Sequence, residues 1–188
     1  MRAETAGLVL AAGGGSRYGM PKALVTYAGK LLVEHAADTL RAAGLAPSLV
    51  VLGAAAPRVL ATAHDLPRTV INPDWATGLG SSLRAGLRAL AGTPATAVVV
   101  LLVDMPEVTP VAVRRIAAHA AGDALVMGGY GGRRGHPVLL GREHWGGVAA
   151  AATGDKGARD YLRAHAAEVR VVEVGDVAGD LDLDVPPA

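Results

Sequence analysis

The stretch Leu8–Val25, "LVLAAGGGSRYGMPKALV", begins as an apolar run, turns through Gly13, Gly14 and Gly15, and then presents Arg17 and Lys22. A strand that runs out into glycines leaves backbone N–H groups open to an anion, because no Cβ blocks the approach. Arg17 supplies a fork for two phosphate oxygens, and Lys22 a compact charge set behind Pro21. Two familiar phosphate loops do not fit. The fingerprint G-x-G-x-x-G, begun at Gly13, needs glycine where Tyr18 stands. The P-loop separation is met by Gly14 and Gly19, but Met20 and Pro21 intervene before Lys22. The pair Gly29–Lys30 has Leu24 where that loop needs glycine, and no Ser or Thr after the lysine. The stretch reads as a phosphate loop of another kind.

Outward from this loop, β-branched apolar runs alternate with Ala/Leu/Arg patterns of helical spacing. Strands are expected at 7–12, 48–53, 68–72, 96–104 and 168–174, and helices at 31–44, 57–66, 80–92, 109–122 and 154–167. Segments 123–129 and 136–141 flank a Gly/Arg loop and pair as strands. Thr109 is placed to cap its helix with Pro110 at the first helical position, and serine is expected to open 80–92. The β-α-β order predicts an α/β fold, a mostly parallel sheet with helices on both faces. No repeat or linker interrupts it, so residues 1–188 are expected to form one domain. Ligands bind such sheets at the carboxyl ends of the strands.

Composition narrows the function. The 188 residues are 51% hydrophobic but contain no Phe, so Ala, Val and Leu must build the core. Lys and Arg number 18 against 17 Asp and Glu. That balance excludes a protein that coats nucleic acid and leaves room for a local basic pocket. Without cysteine there is no disulfide, thiolate catalysis or cysteine-bound metal. No signal peptide and no run of about 20 apolar residues is present, which predicts a cytoplasmic protein without a membrane partner.

The strand ends carry the chemistry. Asp104, in "VDMP", is costly at the end of a buried strand unless it binds something. Magnesium takes carboxylate and phosphate oxygens together, which makes Asp104 the first candidate ligand; the plainer role is a cap on the turn before Pro106. Asp182 and Asp184, two apart on an extended segment, face one side and repel each other without a cation. In "NPDWATGLGSSL" (72–83), Asn72 ends a strand, Gly78 and Gly80 permit close approach, and Ser81 and Ser82 open a helix whose N-terminus favours anions.

Taken together, the pattern L-A-A-G-x-x-x-R-x-G-x-x-K, carried by Leu10, Ala11, Ala12, Gly13, Arg17, Gly19 and Lys22, resembles the signature of sugar-nucleotide and cofactor nucleotidyltransferases. The segments "NPDWATGLGSSL", "RRGHPVLL" (133–140) and "GDKGAR" (154–159) are similar to those of MobA-like NTP transferases, nearest the molybdenum-cofactor cytidylyltransferase-like proteins. "DLDLDVP" resembles the family's closing D-[IL]-D-[TS]-P, with Val185 in place of the Thr.

The resemblance implies a Rossmann-like nucleotidyltransferase fold of the nucleotide-diphospho-sugar transferase type. The NTP-binding part would cover about 1–105 and the acceptor-binding part about 106–188. It implies that Leu10 to Gly15, Arg17, Lys22, Asn72, Gly78, Ser81 and Ser82 bind the nucleotide. Arg17, Lys22 and Asp104 would be catalytic, and Asp104 with Asp182 or Asp184 would hold Mg2+. His136, Arg134 and Arg159, with Arg133 nearby, would meet the acceptor; Asp155 would cap the helix after it. The acceptor would be molybdopterin or its metal-loaded form and the donor CTP, since Pro21 stands where the guanylyl branch places Asp. Three alternatives stay open: GTP as donor, a sugar or polyol phosphate as acceptor, or a non-catalytic accessory protein serving a molybdoenzyme or its chaperone.

Overall fold

Residues 4–184 are described in a computed structural model of the chain. Seven strands form one sheet: β1 (Thr5–Ala11), β4 (Ser48–Leu52), β5 (Arg68–Ile71), β6 (Ala97–Leu102), β7 (Leu125–Tyr130), β8 (Arg133–Gly141) and β9 (Val169–Glu173). A small ribbon, β2 (Thr26–Tyr27) and β3 (Lys30–Leu31), stands apart. The helices are α1 (Leu32–Ala42), α2 (Ala56–Thr62), α3 (Leu79–Leu90), α4 (Pro110–Ala117), α5 (Trp145–Ala151) and α6 (Arg159–Ala164).

The sheet order is β5-β4-β1-β6-β8-β7-β9. All neighbours pair in parallel except β8, which is antiparallel to both β6 and β7. That one reversal matters for the site. The parallel strands deliver their ends to one edge of the sheet, whereas β8 delivers its beginning there, so residues 133–136 lie beyond the end of β6.

Period-2 alternation splits the apolar residues between two layers. Val9, Val50, Val99 and Leu101 pack with α1, α2 and α4 on one face. Leu8, Leu10, Val98 and Val100 pack with α3, α5 and α6 on the other. The buried strands read as continuous apolar runs because both faces are covered. Burying each such leucine contributes about 2 kcal/mol, and Leu8, Leu49, Leu52 and Leu139 are each almost wholly enclosed.

Several expectations need correction. The helix expected at 154–167 is a single tight turn at Gly154–Lys156 followed by α6. The helix expected at 109–122 stops at Ala117, although Thr109 does cap it, accepting from Ala112 N–H at 3.2 Å, with Pro110 first. Helix α3 is not opened by a serine cap: Gly78 is its N-cap residue, and Ser81 and Ser82 are buried in its first turn. Helix α5, in "WGGVAAA", was not foreseen, because paired glycines mask its pattern.

Candidate active site

The glycine loop leaves β1 at Ala11 and is closed on itself. Gly15 has φ +64°, and a Cβ there would run into the Met20 carbonyl. The Gly19 N–H donates to the Gly15 carbonyl at 2.8 Å, tightening the turn. Gly13, by contrast, would carry a Cβ into open space. Its bare backbone faces a cleft of about 640 Å³ lined also by Gly14, Gly15, Ser16, Arg17, Lys22 and Asp104. Trp75, part of the 72–83 segment but given no role of its own by the sequence, closes the loop from the side, its ring lying where a Cβ on Gly14 would touch at 3.1 Å.

Pro21 is followed by one tight turn, Lys22–Leu24, with Ala23 and Leu24 buried. That anchor aims the Lys22 ammonium across the sheet edge. It donates to Asp104 Oδ2 at 2.6 Å and to Asp184 Oδ1 at 3.1 Å, and lies 3.5 Å from Asp182 Oδ1. Arg17 Nη1 reaches the other oxygen of Asp184 at 3.1 Å. Exposure separates these contacts: Lys22 and Asp104 are 15% and 16% exposed, but Arg17 is 77% exposed. The Arg17 pair therefore adds little stability, while the Lys22–Asp104 pair sits where water screens poorly. Burial works against the Lys22 charge, but the hydrogen bond and charge of Asp104, with Asp184 and Asp182, outweigh it and raise the Lys22 pKa. Burial and the nearby Asp104 raise that of Asp182.

Asp104, two residues past β6, is held in place because its carbonyl accepts from the Leu183 N–H at 3.1 Å. The C-terminal segment is thereby strapped over the strand end, and the 184 N–H bonds back to the Asp182 carbonyl at 3.0 Å. Asp104, Asp182 and Asp184 each offer one oxygen, all within 4.8 Å of one another. Among the described residues, Asp104 Oδ1 is buried without a hydrogen-bond partner. An unpaired carboxylate oxygen beside two further carboxylates suits a hard divalent cation, so the residues fit the metal that the sequence implied. Val185 and Pro186, the end of the closing motif, lie outside the described residues.

Asn72 lies at the end of β5 and is 3% exposed. Its Nδ2 donates to the Ser81 and Ser82 hydroxyls at 2.8 and 3.0 Å, and its Oδ1 accepts from the Asp74 N–H at 3.0 Å. The structure thus places Asn72 and Ser81 inside the wall, where they brace the start of α3. Ser82 and Gly78 line the cleft itself.

A second cavity of about 460 Å³ adjoins the cleft, with Leu10, Leu79, Leu102 and Asp155 in both walls. Leu83, Val138, Leu140 and Leu162 make it apolar, while Arg134, Arg159, Lys156 and Arg163 are at its margin. His136 lines it from the start of β8, and Arg133 is turned away into an ion pair with Asp180 at 2.7 Å. Burial pushes the His136 pKa down to about 4, with Asp104 pulling weakly upward. Its imidazole is therefore neutral at pH 7 and offers one N–H, not a charge.

Asp155 does not cap the helix after it. Its Oδ1 lies 3.4 Å from the Leu79 N–H, at the start of α3. Gly78, at φ +112°, makes room, since a Cβ there would strike the Gly154 backbone and meet Asp155 Oδ1 at 2.8 Å. Gly80 lets the Ala152–Thr153 backbone come equally near. Sequence marked both segments but not their contact, which joins residues 76 apart.

Comparison with known proteins agrees with this geometry. The MobA-like NTP transferase domain matches residues 7–169, and the chain belongs to that family. A curated relative, "Nicotine blue oxidoreductase" of Paenarthrobacter nicotinovorans, is 37% identical over 95% of this chain and 91% of its own. A mycobacterial homologue of Rv0371c, from strain JC1, superposes with TM-score 0.85 and 30% identity, covering 98% of this chain and 92% of that one. Rv0371c of Mycobacterium tuberculosis in complex with manganese superposes with TM-score 0.79 and 31% identity, covering 96% and 94%. The protein is thus an NTP transferase of the MobA-like family, with nucleoside triphosphates as its implied substrates. No described helix is long and apolar enough to cross a membrane.

Proposed function

We propose that the protein transfers a nucleotidyl group from an NTP, with CTP favoured, to the phosphate of a molybdopterin-type acceptor, with Mg2+ as the cation. The observation that carries this reading is the junction of two cavities. One is lined by bare backbone, cations and three carboxylates, the other by apolar walls under a cationic margin. The triphosphate lies along Gly13 to Gly15, with Arg17 and Lys22 on its oxygens. Gly78 and Ser82 face the nucleoside, braced from behind by Asn72 and Ser81. Asp104 with Asp182 or Asp184 holds the cation, which supplies positive charge to the phosphates as charge spreads.

The acceptor phosphate oxygen forms a bond to the α-phosphorus, in line with the bond that breaks toward the β-phosphate. Pyrophosphate leaves with that electron pair. The acceptor is already an anion, so no covalent enzyme intermediate is needed. Neutral His136 orients the acceptor by one hydrogen bond, and Arg134 and Arg159 supply the charge. The apolar walls favour a flat ring system over a sugar or polyol phosphate, which would leave buried hydroxyls unpaired. Pro21 before Lys22 supports CTP over GTP.

Pyrophosphate release across the four NTPs, alone, with molybdopterin, or with sugar phosphates, is the test. CTP- and molybdopterin-dependent release is expected. Release with GTP, or with sugar phosphates, reassigns donor or acceptor, and none with any pair overturns the transferase reading in favour of an accessory role.

A second reading follows from the 37% relative named as an oxidoreductase. The apolar cavity suits an aromatic substrate, with a two-electron donor in the neighbouring cleft. Reduction of such a substrate by a hydride donor, without pyrophosphate release, would select it.

A further inference from the structure

Lys22 stands among the three carboxylates, not beside them. Its ammonium takes Asp104 Oδ2 at 2.6 Å and Asp184 Oδ1 at 3.1 Å. Arg17 occupies the remaining oxygen of Asp184. A divalent cation on Asp104 and either partner would share these oxygens with an ammonium at contact distance, and the two positive charges would repel strongly at such separation. The same Lys22 and Arg17 are the cations that face the phosphate loop, so each has two anionic partners to choose between.

We infer that Lys22 is a displaceable counter-cation of the carboxylate site, which leaves Asp104 and Asp184 for the triphosphate when the divalent cation arrives. Three features support this. The lysine has a flexible stem on a rigidly anchored backbone turn, so the ammonium moves while its base stays fixed. The strap bearing Asp182 and Asp184 is held at Asp104 by a backbone hydrogen bond, so the carboxylates stay assembled without the lysine. Asp104 Oδ1 has no hydrogen-bond partner among the described residues and is already available to a metal. The consequence is coupling: metal alone is opposed by Lys22, nucleotide alone must draw Lys22 off its carboxylates, and the two together satisfy every charge. By linkage the coupling is the same seen from either ligand.

The inference rests on the metal-site reading above, and one titration separates the two. Mn2+ binding is followed by the loss of the free-ion EPR signal, with no acceptor and no turnover, for the natural protein, Lys22→Met, Lys22→Gln and Asp104→Asn. Each is tested with and without a non-hydrolysable CTP analogue. The two lysine variants are expected to bind Mn2+ alone about tenfold more tightly or better, while losing nucleotidyl transfer. The analogue should strengthen Mn2+ binding several-fold more in the natural protein than in either variant. Equal or weaker Mn2+ binding by both folded lysine variants overturns the exchange while leaving the metal site intact. Absence of Mn2+ binding in every protein, or its persistence unchanged in Asp104→Asn, overturns the metal site and the exchange with it.

Discussion

The two adjoining cavities are built by opposite means. In the glycine-loop cleft the charges are paired: Lys22 and Arg17 contact Asp104, Asp182 and Asp184, and backbone geometry pins the loop between them. In the adjoining apolar cavity the half-buried His136 is neutral, and Arg134 and Arg159 form no ion pair among the described residues. The topology underlies the difference. Parallel strands bring turns and helix starts to the edge, rich in free backbone groups, whereas the antiparallel β7–β8 pair brings side chains of a ladder whose register shifts between Met127 and Gly128, leaving His136 and Pro137 in the irregular stretch. A charge-built site suits a ligand common to many enzymes; an apolar one with loose cations suits a particular ring system.

Substitutions at the two sides should break this contrast in graded ways. The largest effect is expected from Asp104→Ala, which removes the central carboxylate. Pyrophosphate release should fall by about 10³-fold, or roughly 4 kcal/mol in the barrier, with CTP still bound in equilibrium dialysis.

Next comes the neutral histidine. Its folded pKa of about 4 lies below the ordinary 6.5, so between those values the unfolded chain binds the extra proton. Stability should therefore be withdrawn as pH falls from about 6.5 through 4, by about 2–3 kcal/mol at the acid end. Urea melts of His136→Gln across this range should show a correspondingly flatter profile; an unchanged slope would mean that His136 is not held neutral.

A comparable or slightly smaller change is expected from Gly15→Ala. The left-handed backbone and the Met20 carbonyl leave no room, so the loop should shift at a cost on the order of 2 kcal/mol, lowering the melting temperature and NTP affinity together. The smallest effect should come from Arg134→Ala or Arg159→Ala, each raising the acceptor KM by about tenfold while the NTP KM stays put. Movement of both KM values would show that the two sides are not separately built.

How far the sequence foretold this molecule depends on distance along the chain. The buried strands announced themselves as apolar runs, and the glycine loop with its late lysine lay within fifteen residues of β1. Asp104 was readable because a carboxylate ending a buried strand asks for a partner. The partnership of Lys22 with Asp184 was not, since it spans 162 residues and no local pattern records it. Asn72 was marked for the right region, but its side chain serves the wall, because the serines it bonds turn inward with the first turn of α3. Helix boundaries failed where tertiary contact overrode composition, as at 154–158, where Gly154 and Gly157 adopt positive φ to dock on α3.

That docking has a consequence for building hybrids. Gly78 and Gly80 press against Ala152 to Asp155, so the two cavities share one partition assembled from two distant stretches of chain. A chimera that borrows the acceptor half of a relative must import residues 77–80 together with 152–155, or leave a side chain where neighbouring backbone already runs. The shape of that partition is therefore inherited in matched pairs of segments, and a splice point between them would yield a protein whose two halves are each sound and whose partition does not close.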